Sequence, residues 1–278
     1  MLQEYGHGTY SSYTHSSSSS SGSSGSNFNY SYSHKISKSN PTIDEFVLEH
    51  TDGVTSLYQQ CLACNSSTGQ IAYPSACMLV LLSPNTGEQR FIEAPSPTQN
   101  ITCVAFSPEG KLIGFGESGV NPFVSIWLVH EFRPLNQFQI GPHNSVRGIE
   151  FHPGKPYVII LGKMDVTVFD FLRGEKMAFT RWTTVPLAMC IPREGGCVMI
   201  CGHRKITSFN LEAVNSMERN INSLDTRRCV NLGCQSEYVF VDIKCGKGAR
   251  EKVVYVVTAC GYLCSFKLGG LLLICCCC

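Results

Sequence analysis

Apolar and small residues alternate through Ile101–Phe106, with a β-branched residue at the start, as in a half-buried strand. Turn chemistry follows at Ser107-Pro108-Glu109-Gly110-Lys111: Pro108 presets φ and Gly110 supplies the flexible position. Leu112–Phe115 reads as a second short strand, Glu117–Pro122 as a loop, and Phe123–Trp127 as a third strand. Three antiparallel strands make a meander. One this small cannot bury both faces alone, so it must stack on neighbours.

The same pattern recurs along the chain. Val146–Phe151, the turn His152-Pro153-Gly154-Lys155-Pro156, Tyr157–Leu161 and Val166–Phe171 repeat it. Val185–Ile191, Cys197–Cys201 and Ile206–Phe209 repeat it again, as do Val239–Lys244, Val253–Thr258 and Tyr262–Phe266 with a longer insert. Upstream, Gly69–Tyr73 and Cys77–Leu82 read as the last two strands of an earlier unit. Equivalent third-strand positions Leu82, Trp127, Phe169 and Phe209 are 45, 42 and 40 residues apart, and Phe266 follows 57 later. A period near 40–45 residues with about four strands per unit predicts an all-β fold, a β-propeller of WD-repeat type, incomplete at about five blades.

Composition changes the picture at the two ends. Residues 1–41 are rich in Ser, Gly and Tyr, with unbroken serine at Ser16–Ser21. They bury too little apolar surface to offset chain entropy, so a disordered tail is expected there. His7, His15 and His34 share no metal-ligand spacing. The blades should occupy 42–267. Residues 268–278 form an apolar run ending in Cys275–Cys278, too short to span a bilayer. A palmitoylated cysteine cluster is one reading of it, and the end of a truncated or misassembled coding sequence is the expectation.

A formal charge of +1 gives no electrostatic case for nucleic acid or a membrane surface. The chain has 16 cysteines, many set singly in expected strands (Cys77, Cys103, Cys190, Cys197, Cys201), where Cys acts as a small buried hydrophobe. Met1–Tyr10 is polar and lacks a signal-peptide run, so reduced thiols in the cytoplasm are expected. Cys61-Leu62-Ala63-Cys64 is a lone CxxC: half a zinc site, a redox pair, or two small residues beside a strand. With no second CxxC at zinc spacing in the blades, the structural reading is expected.

Specific stretches resemble a known family. Ser67–Leu82 (STGQIAYPSACMLVLL) is similar to the first blade of the mitogen-activated protein kinase binding protein family, which includes a WD-repeat paralogue associated with microcephaly. Ala105–Lys111 with Gly116–Gly119 and Val124–Trp127 resembles the next blade. Asp242–Gly248 with Thr258 and Gly261–Phe266 resembles a later one. The similarity runs from about Gln60 to Phe266. The Trp-Asp pair that names the repeat is degraded, to Trp127-Leu128, Phe169-Asp170, Phe209-Asn210 and Phe266-Lys267. The blade-closing Gly-His survives only as Gly141-Pro142-His143. The buried His/Asp/Trp hydrogen-bond network of such repeats is therefore expected to be mostly absent, with His143 its one candidate.

Catalytic motifs such as GxSxG, HExxH and GxxxxGK[ST] do not occur. No catalytic, cofactor-binding or metal residue is expected, nor any cofactor. Gly246–Arg250 reads as a solvated hairpin loop. Asp165 and Asp170 read as turn and strand-end residues, and Arg227-Arg228 as solvated surface. Leu211–Glu237 reads as a long connection in which Leu211–Ile221 forms a brief helix. The resemblance implies a non-catalytic scaffold in c-Jun N-terminal kinase signalling and at the centrosome or spindle pole. Its partners would be kinase-pathway, centrosomal or microtubule proteins, and open blade edges would permit self-association. The alternatives are a ciliary or microtubule-associated WD-repeat protein and, from another class, a propeller enzyme or cysteine-metal protein.

Overall fold

In the computed structural model the described residues are 48–141, 144–212, 214, 222–223, 226–229, 237–267 and 273–274. The expected serine-rich tail at 1–41, His143 and most of the Leu211–Ile221 helix lie outside them, as do 268–272 and 275–278. The described part belongs to one compact unit that begins at Leu48. It is built from five antiparallel meanders taken in chain order. No α-helix occurs among the described residues.

The first sheet holds β1 (Ala63–Cys64), β2 (Ile71–Ser75), β3 (Met78–Leu82) and β4 (Gln89–Glu93). The second holds β5 (Asn100–Phe106), β6 (Leu112–Ser118), β7 (Phe123–Leu128) and β8 (Arg133–Gln139). The third holds β9 (Gly148–Phe151), β10 (Tyr157–Leu161), β11 (Asp165–Asp170) and β12 (Glu175–Arg181). The fourth has β13 (Pro186–Cys190), β14 (Cys197–Gly202), β15 (Lys205–Asn210) and β17 (Thr226–Cys229), while β16 (Asn222–Ser223) pairs in parallel with β12 of the third. The fifth has β18 (Phe240–Cys245), β19 (Val253–Thr258), β20 (Leu263–Lys267) and β21 (Leu273–Ile274).

Three readings change. Gly69–Tyr73 and Cys77–Leu82 overlap β2 and β3, the two middle strands of a full sheet rather than the last two of one. The Leu211–Glu237 connection is not only loop: within it β17 completes the fourth sheet and β16 edges the third. The backbone of Leu273–Ile274, inside the stretch read as a terminal tail, supplies the fourth strand of the fifth sheet.

Four apolar wedges hold five sheets together. Ala72, Leu79 and Leu81 face Ile101, Ile113 and Phe115 between the first and second. Val124, Ile126 and Phe138 face Ile149, Val158, Ile160 and Phe169 between the second and third. Tyr157, Ile159 and Leu161 face Met189, Val198 and Ile200 between the third and fourth. Cys190, Met199 and Cys201 face Ile243, Val254 and Val256 between the fourth and fifth. Alternate residues of β10 thus point into different wedges, which is why Tyr157–Leu161 is apolar throughout instead of alternating. Each fully buried Ile or Leu contributes roughly 2 kcal/mol. A sheet so sandwiched has no stable existence alone.

Glycine sets how closely the sheets approach. A Cβ on Gly116 would lie 2.4 Å from Val146 Cγ1, so β6 meets the entry to β9 only because that position is bare. Gly110, at φ 72°, closes the β5–β6 turn against Asn65, which is wholly buried and donates to Gly110 O at 2.9 Å. The corresponding turn of the third sheet replaces Ser107 with His152. Ser107 Oγ accepts from Leu112 N at 3.0 Å. His152 Nδ1 accepts from Gly154 N and Lys155 N, both at 3.0 Å, while Nε2–H donates to Gly195 O at 2.9 Å in the next sheet. The ring is held neutral, and burial pulls its pKa below the usual histidine value.

Candidate functional site

One end of the stack is built from turns stitched to connections. At each joint the turn between a sheet's second and third strands bonds the segment leading into the next sheet. Ile101 N donates to Ala76 O (2.8 Å), Val146 N to Glu117 O (3.0 Å), Trp182 N to Met164 O (2.8 Å) and Arg204 N to Tyr238 O (3.0 Å). Two carboxylates reinforce these joints. Glu117, with no exposed surface, accepts from Ser96 N at 3.1 Å and from Phe123 N at 3.0 Å. Asp165 accepts from Asn144 Nδ2 at 3.2 Å. Burial raises both pKa values and the hydrogen bonds oppose it. The polar contacts at these joints are thus a Glu in one sheet and an Asp–Asn pair in the next, and His143, the one candidate for the His/Asp/Trp network, lies outside the described residues. Glu117, read from sequence as the start of a loop, lies instead inside β6.

The same end carries exposed apolar side chains: Val120 in the β6–β7 loop, 57% exposed, and Met164 in the β10–β11 turn, 40% exposed. A strap from residue 51 onward crosses it. Thr55 N donates to Pro74 O at 2.7 Å, Thr55 Oγ1 accepts from Ala76 N at 2.7 Å, and Tyr58 OH meets Ser145 Oγ at 2.7 Å. Leu57 stays exposed between these anchors. The Arg147 guanidinium lies 4.7 Å over the Tyr58 ring.

The strap then turns inward to the first strands of the sheets. Gln60 O accepts from Val104 N of β5 at 2.8 Å. Its side-chain amide pairs with the Ile149 backbone of β9 in both directions, each at 2.8 Å. Gly148 makes this possible, since a Cβ there would sit 2.7 Å from Gln60 Oε1. Gln60 Nε2 also donates to Glu150 Oε1 at 3.2 Å, and Lys244 Nζ of β18 stands 3.8 Å from the same oxygen. Burial lifts the Glu150 pKa, Lys244 and Gln60 pull it down, and Asp242 adds to the rise. Close by, Cys190 Sγ of β13 and Cys245 Sγ of β18 are 3.1 Å apart. Sequence reasoning missed Gln60 and this thiol pair. The pair had a signal: Phe106, Phe151, Cys190 and Cys245 each end the first strand of successive sheets.

The residues weighed from sequence fall as follows. Cys61 and Cys64 lie beside and within β1 with separate partners, Ser56 Oγ at 3.3 Å and Asn65 O at 3.9 Å. Among the described residues no group of three or more His, Cys, Asp or Glu is arranged to hold a metal ion. Asp165 and Asp170 sit at opposite ends of β11. Asp170 caps a turn by accepting from Leu172 N and Arg173 N. Gly246–Arg250 is an exposed hairpin containing one 3₁₀ turn, Gly248–Arg250. Arg227-Arg228 falls in β17. Among the described residues no helix is long and apolar enough to cross a membrane.

Five four-stranded meanders joined at such stitched turns define an open, incomplete β-propeller of the WD-repeat class. A chain in a crystal structure of the mitotic checkpoint complex shares this fold, with a TM-score of 0.62 at 10% identity over 84% of this chain and 74% of that one. No family model matches the sequence. Among curated proteins, human mitogen-activated protein kinase-binding protein 1 is 29% identical over 79% of the chain, and WD repeat-containing protein 62 of Sus scrofa is 27% identical over 79%. Mouse cilia- and flagella-associated protein 52 is 25% identical over 45%. The chain is thus similar to the first two of these over most of its length, and its fold is that of WD-repeat proteins. It spans 14% of the length of each of those two and 20% of the third.

Proposed function

We propose that this chain is a non-catalytic protein-interaction scaffold and that partners dock on the stitched-turn end around Leu57, Val120 and Met164. One observation carries the reading. Exposed apolar side chains stand there on a rigid frame, while the buried carboxylates beneath them are already engaged: Glu117 with two backbone amides and Asp165 with Asn144. Such groups stiffen loops and do not converge on an empty position as a general acid and base would.

Within this reading the partner is a kinase-pathway protein, with the c-Jun N-terminal kinase first, and the setting is the cytoplasm, with the centrosome or spindle pole during mitosis. What supports it is the likeness to a protein whose name records binding to a mitogen-activated protein kinase. A ciliary or microtubule-associated role is the second reading, supported by the likeness to a cilia- and flagella-associated protein. The test is paired capture with the purified full chain, on immobilised kinase and by co-sedimentation with microtubules. The Val120→Glu/Met164→Glu double variant serves as control, with its circular dichroism spectrum checked against the parent. Kinase capture that the double variant loses supports the first reading. Co-sedimentation without kinase capture moves the proposal to the second. Capture that the folded double variant retains removes this end from the account.

A further inference from the structure

We propose that Cys190 and Cys245 form a peroxide-reactive dithiol site whose oxidation joins the fourth and fifth sheets by a disulfide. Four observations carry it. The two sulfurs are 3.1 Å apart, inside the contact distance of two unbonded sulfur atoms. They sit on β13 and β18, neighbouring first strands of different sheets, in a wedge otherwise filled by apolar packing. They are unequally placed: Cys190 is 3% exposed while Cys245 is only partly buried. Finally, the equivalent positions in the second and third sheets hold the bulky rings of Phe106 and Phe151, so the two small thiols meet where large side chains stand elsewhere.

The asymmetry assigns the roles. Cys245, partly buried, is the thiol that peroxide reaches first, and Cys190, 3% exposed and 3.1 Å behind it, is the one that resolves; the contact between them pulls the Cys245 pKa below the usual thiol value and pushes that of Cys190 up. Lys244 favours the thiolate at Cys245 and Glu150 opposes it. The ligand is hydrogen peroxide, small and uncharged. Cys245 thiolate attacks one peroxide oxygen, the O–O bond breaks, and the departing hydroxide takes a proton to leave as water. Cys245 is then a sulfenic acid. Cys190 sulfur attacks the Cys245 sulfur, the S–OH bond breaks, and the second oxygen leaves as water with the Cys190 proton. Two thiols lose one electron each and the peroxide gains two. The new bond closes a loop containing β14, β15 and β17, a constraint on the unfolded chain. The inference holds whichever partner the scaffold binds.

The experiment uses the full chain, treated with graded hydrogen peroxide, blocked with N-ethylmaleimide and digested with trypsin without reduction. The expected product is the peptide 182–193 linked to 245–247, with loss of both maleimide adducts from them. A dimedone probe on Cys190→Ser should label Cys245, and on Cys245→Ser should leave Cys190 unlabelled. The oxidised parent should melt at a higher temperature than the reduced one, and the Cys190→Ser protein should show no such rise. Recovery of both peptides as maleimide adducts while exposed Cys64 and Cys260 are oxidised would overturn the proposal. So would equal dimedone labelling of the two thiols in the two variants. The peptide-linkage readout needs no variant to fold.

Discussion

The wedge between the second and third sheets and the wedge between the fourth and fifth solve one geometric problem with different chemistry. The first is closed by rings: Phe138 stacks on Phe169 with centroids 4.7 Å apart and planes 6° from parallel, and Phe151 meets Phe171 edge-on at 5.8 Å. The second also holds rings, Phe240 and Phe266, but three small thiols, Cys190, Cys201 and Cys264, stand among them and Ile243, Val254 and Val256. Aromatic rings bring large buried area and fixed geometry. Thiols bring little area and adaptable packing, and two of them bring reactivity. The strand register is set by the meander and its stitched turns. What fills the wedge is free to vary, and stability and chemistry vary with it.

The largest break in this comparison should come from the ring side. Phe169→Ala removes a stacked, buried ring and should cost about 4 kcal/mol in chemical denaturation. A loss near that of a surface change would mean the wedge is not packed as described. Next is the joint that ties the connection into the second sheet to its own strands. Glu117→Ala leaves Ser96 N–H and Phe123 N–H without their acceptor and should cost about 2 kcal/mol. Its pH behaviour sharpens the point. Burial raises the Glu117 pKa in the folded state, so folding favours the protonated form. That contribution is fully present below the unfolded value of about 4.3 and is lost as pH rises through the raised folded value. Glu117→Gln should therefore flatten the stability profile across that window. The smallest effect belongs to the sulfur side. Cys201→Ala, though the site has no exposed surface, should cost only about 1 kcal/mol because little area is removed.

How much of this the sequence carried depends on the kind of residue. Strands announced themselves where β-branched and aromatic residues recur at a fixed period, and Val253–Thr258 was read to the residue. Fourth strands were harder. Arg133–Gln139 is half-polar because it lies at a sheet edge, and only Phe138 of it is buried, so little periodicity marks it. Thr226–Cys229 hid in a long connection for the same reason. Gln60 could not be read at all: a polar residue acquires its role by lying between β5 and β9, a tertiary fact with no local pattern. Glu117 and His152 are visible as turn-adjacent residues, but their partners lie far off in local pattern: Ser96 in the connection before β5 for Glu117, and Gly195 in the next sheet for His152.

Radial stacking is the claim from which the rest follows, and a double-mutant cycle on Phe138 and Phe169 tests it most directly. The two rings belong to different sheets, so they touch only if successive meanders stack face against face. Denaturation of Phe138→Leu, Phe169→Leu and the double variant should give a coupling of about 1 kcal/mol. Additive effects, with no coupling, would contradict the stacked sheets.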